Sequence, residues 1–212
     1  MTDLTGKTAL ITGSARGIGK AIALRYAQLG ANIVLNYASS TANGEQALKE
    51  VHEHAGQAIA VQADISKATE VDRLFTEAKE RFGSLDIVVA NAGLELLGVP
   101  IAELSDEQID SMFNVNAKGA ILTMQRAAQH LADHGRILYI ASTAIAHPVP
   151  GAASAGTEQA HGLWRSRRSG AGRGPCCGAG RSVRRFRHWT DAEAASQRAE
   201  QVLDAAARPA AR

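Results

Sequence analysis

The feature that most constrains the fold of this chain is a glycine-rich stretch near its start, Thr12-Gly13-Ser14-Ala15-Arg16-Gly17-Ile18-Gly19. An apolar run at 8–11 precedes it, and apolar residues at helical spacing follow it as far as Gly30. This order predicts a strand, a glycine turn and a helix. Glycines at such a junction let a pyrophosphate approach the main chain, and the helix N-terminus offers free N–H groups to a phosphate.

Four further apolar runs follow at 32–36, 58–62, 85–90 and 136–142. Amphipathic or polar segments that predict helices separate them, one at 42–54, one around Leu74, and one that Ser105 and Gln108 begin with a capping-box signature. Five strands that alternate with helices predict an α/β fold with a doubly wound parallel sheet. Ligands of such sheets bind at the carboxyl ends of the strands.

The composition changes near residue 151. Residues 1–150 hold 12 basic and 16 acidic side chains, whereas 151–212 hold 11 basic and 5 acidic ones, and every Lys lies in the first part. We therefore divide the chain into a nucleotide-binding domain, 1–151, and an aberrant segment rich in Arg, Ala and Gly, 152–212. Arginines interleaved with Trp164, Phe186 and Trp189 would suit nucleic acid, but nucleic-acid binding is not the favoured interpretation.

Other classes are excluded by what the sequence does not contain. No apolar run approaches the ~20 residues of a membrane span, and the N-terminal residues lack the apolar centre of a signal peptide. The only cysteines, Cys176 and Cys177, are adjacent, which is a poor pattern for a disulfide framework or a metal site. We expect a cytoplasmic protein without a membrane anchor or a metal.

The end of the second predicted strand bears on the choice of cofactor. An Asp or Glu at this position of a dinucleotide fold hydrogen-bonds the ribose 2′-hydroxyl and repels a 2′-phosphate. This chain has Asn36 and Tyr37 instead, and Arg16 in the glycine stretch supplies a nearby cation. The combination favours NADP(H) over NAD(H), although Arg16 can also be read as a solvated loop charge.

Two motifs in the same order carry a family resemblance. The spacing Thr-Gly-x-x-x-Gly-x-Gly at 12–19, followed by Asn91-Ala92-Gly93 after the fourth strand, resembles the short-chain dehydrogenase/reductase family, with 3-oxoacyl-ACP reductases and glucose 1-dehydrogenases among the similar members. The resemblance covers 5–151. It implies a Rossmann fold, a nicotinamide cofactor, a small carbonyl or alcohol substrate interconverted by hydride transfer, and a homotetramer.

The resemblance also implies roles for single residues. Asp64 and the Ile65 backbone would contact the adenine, and a helix N-cap is the alternative for Asp64. Asn116 would bend its helix and take part in a proton relay, whereas an Asn in such a helix is otherwise usually solvated. Ser142 would donate a hydrogen bond to the substrate carbonyl.

The family pattern fails beyond Ser142. The positions where the resemblance requires an active-site Tyr and Lys hold Ala155 and Gln159, and no Tyr follows Tyr139 and no Lys follows Lys118. A phenol with a pKa near 10 needs a nearby cation before it can exchange protons near neutral pH, so we expect a weakly active or inactive chain. The codons of 158–160 permit a Ser-Lys readout in another frame, which suggests an inserted nucleotide near codon 158.

The alternative to an impaired oxidoreductase is a non-catalytic protein that binds a dinucleotide or a partner and carries a basic tail.

Overall fold

The computed structural model describes residues 2–54, 57–96 and 99–141. Strands and helices alternate through this part of the chain, as the apolar runs predict. The strands are β1 (Thr8–Ile11), β2 (Asn32–Tyr37), β3 (Ala58–Gln62), β4 (Ile87–Ala90) and β5 (Arg136–Tyr139). The helices are α1 (Gly17–Gln28), α2 (Thr41–His52), α3 (Ala68–Phe82), α4 (Asp106–Met112) and α5 (Ala120–His130), with a 3-10 turn at Ile101–Glu103.

The five strands form one parallel sheet in the order β3-β2-β1-β4-β5. The chain winds outward from β1 to β3, crosses over, and continues on the other side of β1 with β4 and β5. The register pairs Ile11 with both Leu35 and Val89, which brings the carboxyl ends of β1, β2 and β4 to one edge. The predicted doubly wound parallel sheet is confirmed, and its topological switch point lies between β1 and β4.

Alternate side chains of the inner strands divide the core into two layers. Ala9 and Ile11 of β1 face α1 and α2 in a layer that contains the buried ring of Tyr26. Leu10 faces α3 and α5 in the opposite layer, which contains Phe75. Each fully buried aliphatic or aromatic side chain stabilises the fold by about 1.5–3 kcal/mol, so both faces of the sheet need their helices.

The helix that leads into β5 has the start predicted for it and an unusual middle. The Ser105 hydroxyl accepts a hydrogen bond from the Gln108 backbone N–H at 3.3 Å, and the Ser105 N–H donates to the Gln108 side chain at 3.0 Å. Between α4 and α5 the backbone forms a π segment, Phe113–Gly119. Asn116 lies within this π segment, and π segments are places where helices often bend.

Several predicted features fall outside the described residues. Ser142, Ala155, Gln159 and the two cysteines lie there, as does the whole of the proposed segment 152–212. Among the helices that are described, none combines the length and the apolar character needed to cross a membrane. The described residues also contain no group of three or more His, Cys, Asp or Glu side chains placed to hold a metal ion.

Candidate dinucleotide site

The glycine loop, residues 12–19, turns the chain from β1 into α1. Gly13 and Gly17 have φ values of 64° and 57°, a region that side-chain-bearing residues rarely adopt. Arg16 occupies the N-cap position of α1 in an extended conformation and makes no side-chain capping bond. Because the first-turn N–H groups have no acceptor within the helix and no acidic residue lies beside them, this N-terminus presents donors and a positive dipole end to an anion.

Gly19 serves a different purpose, which is close packing. A Cβ atom built on Gly19 would lie 2.5 Å from the Asn91 Nδ2 atom and 2.6 Å from the Gly13 carbonyl oxygen. A Cβ on Gly17, in contrast, meets nothing within 4 Å. The loop therefore uses Gly17 for its backbone conformation and Gly19 to let α1 approach the end of β4.

Thr12 joins the glycine loop to the loop after β4. Its buried hydroxyl oxygen accepts hydrogen bonds from the N–H groups of Asn91 at 3.0 Å and Ala92 at 3.1 Å. In return, the Asn91 amide donates to the Thr12 carbonyl oxygen at 2.9 Å and to the Gly13 carbonyl oxygen at 3.3 Å. A Cβ on Gly13 would lie only 2.7 Å from Ala92 Cα, so the two loops are in direct contact. Asn91, Ala92 and the solvent-exposed Gly93 thus lie at the same edge as the glycine loop.

Ser14 and Asn36 bind the glycine loop to β2. The Ser14 N–H donates to the Asn36 carbonyl oxygen at 2.9 Å, and the Asn36 N–H donates to the Ser14 hydroxyl at 3.0 Å. The Ser14 hydroxyl itself donates to the Ile11 carbonyl oxygen at 2.8 Å. Both residues are buried, so these bonds form in a region from which water is excluded. The exposed residues of this part of the edge are Ala38 and Ser39, just beyond β2.

Asp64 lies in the turn after β3 with its side chain about one-third exposed. Its Oδ1 atom accepts hydrogen bonds from the Ser66 N–H at 3.0 Å and the Ser66 hydroxyl at 2.7 Å. Burial raises the pKa of the Asp64 carboxyl, but the hydrogen bonds from Ser66 and the charge of Lys67 outweigh burial, so the pKa lies below its ordinary value. The N-cap of α3 is Lys67, so the N-cap alternative for Asp64 was wrong: the carboxylate closes a turn before the helix.

Glu70 supports this turn and was missed by the sequence reasoning. Its Oε2 atom accepts a hydrogen bond from the Asp64 N–H at 2.7 Å, and its Oε1 atom lies 3.0 Å from the Lys67 ammonium nitrogen. The available signal was its place as an acidic residue in the first turn of α3. Next to Asp64, the buried Ile65 packs against Gly119, where an added Cβ would lie 2.7 Å from Ile65 Cδ1.

Asn116 projects from the π segment towards the chain that leaves β4. Its Oδ1 atom accepts a hydrogen bond from the Leu94 N–H at 2.7 Å, and its Nδ2 atom donates to the Leu94 carbonyl oxygen at 3.0 Å. A Cβ on Gly93 would lie 3.6 Å from the Asn116 Oδ1 atom. The side chain is thus paired with backbone, not solvated, and it lies beside the Asn91-Ala92-Gly93 turn. The sequence-predicted residues from Thr12 to Asn116 come together at one edge, whereas Ser142 is outside the described residues.

Comparison with known proteins gives a consistent family. The family model described as short chain dehydrogenase matches residues 7–157. Hydroxynaphthalene reductase-like protein Arp2 of Metarhizium brunneum is 44% identical over 142 residues, which cover 67% of this chain and 53% of the relative. Short chain dehydrogenase/reductase AacuN of Aspergillus aculeatus is 42% identical over 139 residues, covering 66% of this chain and 52% of that protein. The chain therefore spans about half the length of the curated relatives it matches.

Solved structures show the same arrangement. A 3-ketoacyl-(acyl-carrier-protein) reductase from Brucella melitensis complexed with NADH has a TM-score of 0.68 and 32% identity, covering 78% of this chain and 68% of that one. A short chain dehydrogenase from Burkholderia cenocepacia in complex with NADP has a TM-score of 0.68 and 33% identity, covering 78% of this chain and 70% of that one. Proteins can share a fold at much lower sequence identity, so identities of 32% and 33% indicate a family relationship and not only a common fold.

Proposed function

The chain belongs to the short-chain dehydrogenase family, and we propose on that basis that it binds a nicotinamide dinucleotide along the carboxyl edge of its sheet. The observation that carries the proposal is the meeting of two loops at the switch point, where Thr12 and Asn91 hydrogen-bond each other's backbone. The crowded Gly19 and the free amides of α1 fit a group that brings a pyrophosphate close to the main chain. Structural relatives whose titles name NADH and NADP support the cofactor class.

Different parts of the carboxyl edge of the sheet would bind different parts of the cofactor. The first-turn amides of α1 would hold the pyrophosphate, the Asp64 carboxylate and the Ile65 backbone would hold the adenine, and the Asn91-Ala92-Gly93 turn would lie under the nicotinamide riboside. Asp64 suits an adenine amino group because its ionised carboxylate accepts hydrogen bonds at neutral pH. Within the part of the chain that the structure describes, Lys67 is the ionic neighbour of its Oδ2 atom, at 3.6 Å.

We propose that NADP(H) binds more tightly than NAD(H). Residues 36–40 contain no carboxylate that would accept the ribose 2′-hydroxyl and repel a 2′-phosphate. The exposed guanidinium of Arg16 at the start of α1 supplies a cation that a 2′-phosphate would favour. If Arg16 is only a solvated loop charge, NADP(H) and NAD(H) should bind with similar affinities. The ratio of their dissociation constants therefore tests the role of Arg16.

The reaction we propose is the interconversion of a small carbonyl compound and its alcohol. The nicotinamide, when bound, would supply or accept the hydride, and Ser142 would hold the substrate oxygen by donating a hydrogen bond. Asn116, which pairs with the Leu94 backbone beside the site, would serve the proton relay. Ala155 and Gln159 stand where the family pattern needs an acid and a cation, so this chain, as written, turns over slowly or not at all.

One observation favours a second function, a dinucleotide- or partner-binding protein without catalysis. Ala155 and Gln159 remove the side chains that the chemistry needs, while the glycine loop and the Asn91-Ala92-Gly93 turn remain intact. In this alternative the Arg-rich segment 152–212 acts as a basic tail. Under either function we propose a cytoplasmic homotetramer, with assembly depending on the segment after 151.

The experiment measures the intact mass, the dinucleotide binding and the turnover of one purified sample. The purified chain is titrated with NADPH and NADH and is then assayed on a panel that includes a 3-ketoacyl thioester and a hydroxynaphthalene, the compound classes in the relatives' names. A mass for 212 residues with binding but no turnover supports an impaired reductase. A different mass with turnover means that Tyr and Lys stand at positions 155 and 159 of the true chain. Absence of binding of either dinucleotide would overturn the proposal.

A further inference from the structure

Asn36 is the next-to-last residue of β2, and only 2% of its surface is exposed. Its amide oxygen accepts a hydrogen bond from the Gly13 N–H at 3.2 Å. Its amide nitrogen donates to the Ala63 carbonyl oxygen at 2.9 Å and to the Val61 carbonyl oxygen at 3.4 Å. One buried side chain therefore connects the glycine loop to the end of β3, immediately before Asp64.

The orientation of this amide is fixed by its neighbours. The Gly13 N–H can only donate and the two carbonyl oxygens can only accept, so a rotated amide would set donor against donor and acceptor against acceptors. Both protons of Asn36 Nδ2 and one acceptor site of its oxygen are used within the protein. A side chain committed in this way has no donor left for a ribose 2′-phosphate, and its burial keeps it from the cofactor.

We propose that Asn36 is a positioning residue, which holds the pyrophosphate-facing loop and the adenine-facing turn in one fixed relation. The proposal rests on the dinucleotide binding proposed above. Its consequence is that Asn36 sets the affinity for NADP(H) and NAD(H) together, because both cofactors share the pyrophosphate and the adenine. The choice between them then falls to exposed groups such as Arg16 and residues 38–39.

The test is the Asn36→Ser variant, which adds no charge near the site. A serine is too short to bond the Gly13 N–H and the carbonyl oxygens of Val61 and Ala63 together, as the amide does. The loop and the turn then separate, and the fraction of molecules with a competent site falls. We expect the dissociation constants of NADPH and NADH both to rise about tenfold, with their ratio unchanged.

A matched control lies on the same strand. Asn32 also accepts a backbone hydrogen bond through its side-chain oxygen, from the Gln57 N–H at 3.4 Å, but it lies at the opposite end of β2. Asn32→Ser makes the same chemical change there and should leave both dissociation constants unaltered. Asn36→Thr also adds no charge and leaves a smaller cavity, so it provides the same comparison if Asn36→Ser does not fold.

The outcomes separate the roles that Asn36 can have. If Asn36→Ser changes the two dissociation constants by different factors, Asn36 contacts the ribose and the proposal is overturned. If the Tm falls while both dissociation constants, measured well below the Tm, stay unchanged, Asn36 only stabilises the fold and the proposal is again overturned. Failure of the unsubstituted chain to bind either dinucleotide would remove the proposed function and this inference with it. Parallel weakening of both cofactors, with Asn32→Ser unaffected, supports the positioning role.

Discussion

Replacing Thr12 by valine removes one hydroxyl group while keeping the shape of the side chain. That hydroxyl oxygen is the acceptor for the backbone N–H groups of Asn91 and Ala92, at 3.0 Å and 3.1 Å. Thr12 is 1% exposed, and Asn91 and Ala92 are partly buried. Leaving a fully buried donor unsatisfied costs about 1–3 kcal/mol, so two donors that are only partly buried lower the free energy of unfolding by roughly 2–4 kcal/mol in Thr12→Val.

Thr8, the first residue of β1, gives the matched comparison. The Thr8 hydroxyl is fully buried and has no hydrogen-bond partner among the residues that the structure describes. Thr8→Val removes a desolvated polar group that makes no bond, so it should raise the free energy of unfolding by about 1 kcal/mol. The same isosteric substitution therefore changes the free energy of unfolding in opposite directions at the first residue of β1 and just after its last residue.

Urea denaturation measures both effects. We expect the midpoint to move down for Thr12→Val and up for Thr8→Val with the slope m unchanged, since neither variant alters the surface exposed on unfolding. Thr12→Ser retains the acceptor and should lose about 1 kcal/mol, from its missing methyl group alone. Equal shifts for Thr12→Val and Thr8→Val would refute the reasoning, because the hydrogen bonds of Thr12 are what distinguishes the two sites.

Three further predictions follow from the site. Gly19→Ala should lower the Tm and weaken NADPH binding, since its Cβ meets Asn91 Nδ2 at 2.5 Å; an unchanged titration would contradict this packing. Asn116→Ala should lower the free energy of unfolding by about 1–3 kcal/mol because two backbone groups lose their partner, whereas the exposed Asn114→Ala serves as a control near zero. The lowered pKa of Asp64 stabilises the fold above its unfolded pKa, and that stability is lost as pH falls through the folded pKa. The Tm difference between the unsubstituted chain and Asp64→Asn should therefore shrink on acidification, and a constant difference would count against it.

The sheet could be predicted from the sequence because its signals are local. The strand at Ala58–Gln62 has the predicted bounds, and the capping box at Ser105 and Gln108 begins its helix as expected. Periodicity and capping act within a few residues of each other, so a single chain displays them. The glycine loop was equally visible, since the positive φ values at Gly13 and Gly17 need glycine at those positions.

Contacts between distant parts of the chain could not be predicted in this way. Thr12 begins the glycine-rich stretch that is predicted to receive a pyrophosphate, but its hydroxyl bonds to a turn 79 and 80 residues away. Asn36 was placed at the end of β2, yet the strand continues to Tyr37 and leaves Asn36 buried. The burial of Asn36 depends on contacts with the glycine loop and the end of β3, 23 to 27 residues away in the chain, which leave no signal in the residues next to it.

The length of the π segment, Phe113–Gly119, limits which insertions and deletions this chain can tolerate. It connects α4 to α5, so its length determines which face of α5 packs on the sheet. Removing one residue there would turn α5 by about 100° around its axis and carry the buried Thr123 and Ala127 out of the core. Exposed positions such as Asn114 can vary in side chain with little effect. The number of residues in the segment must stay constant, so we expect the segment to tolerate substitutions but not insertions or deletions.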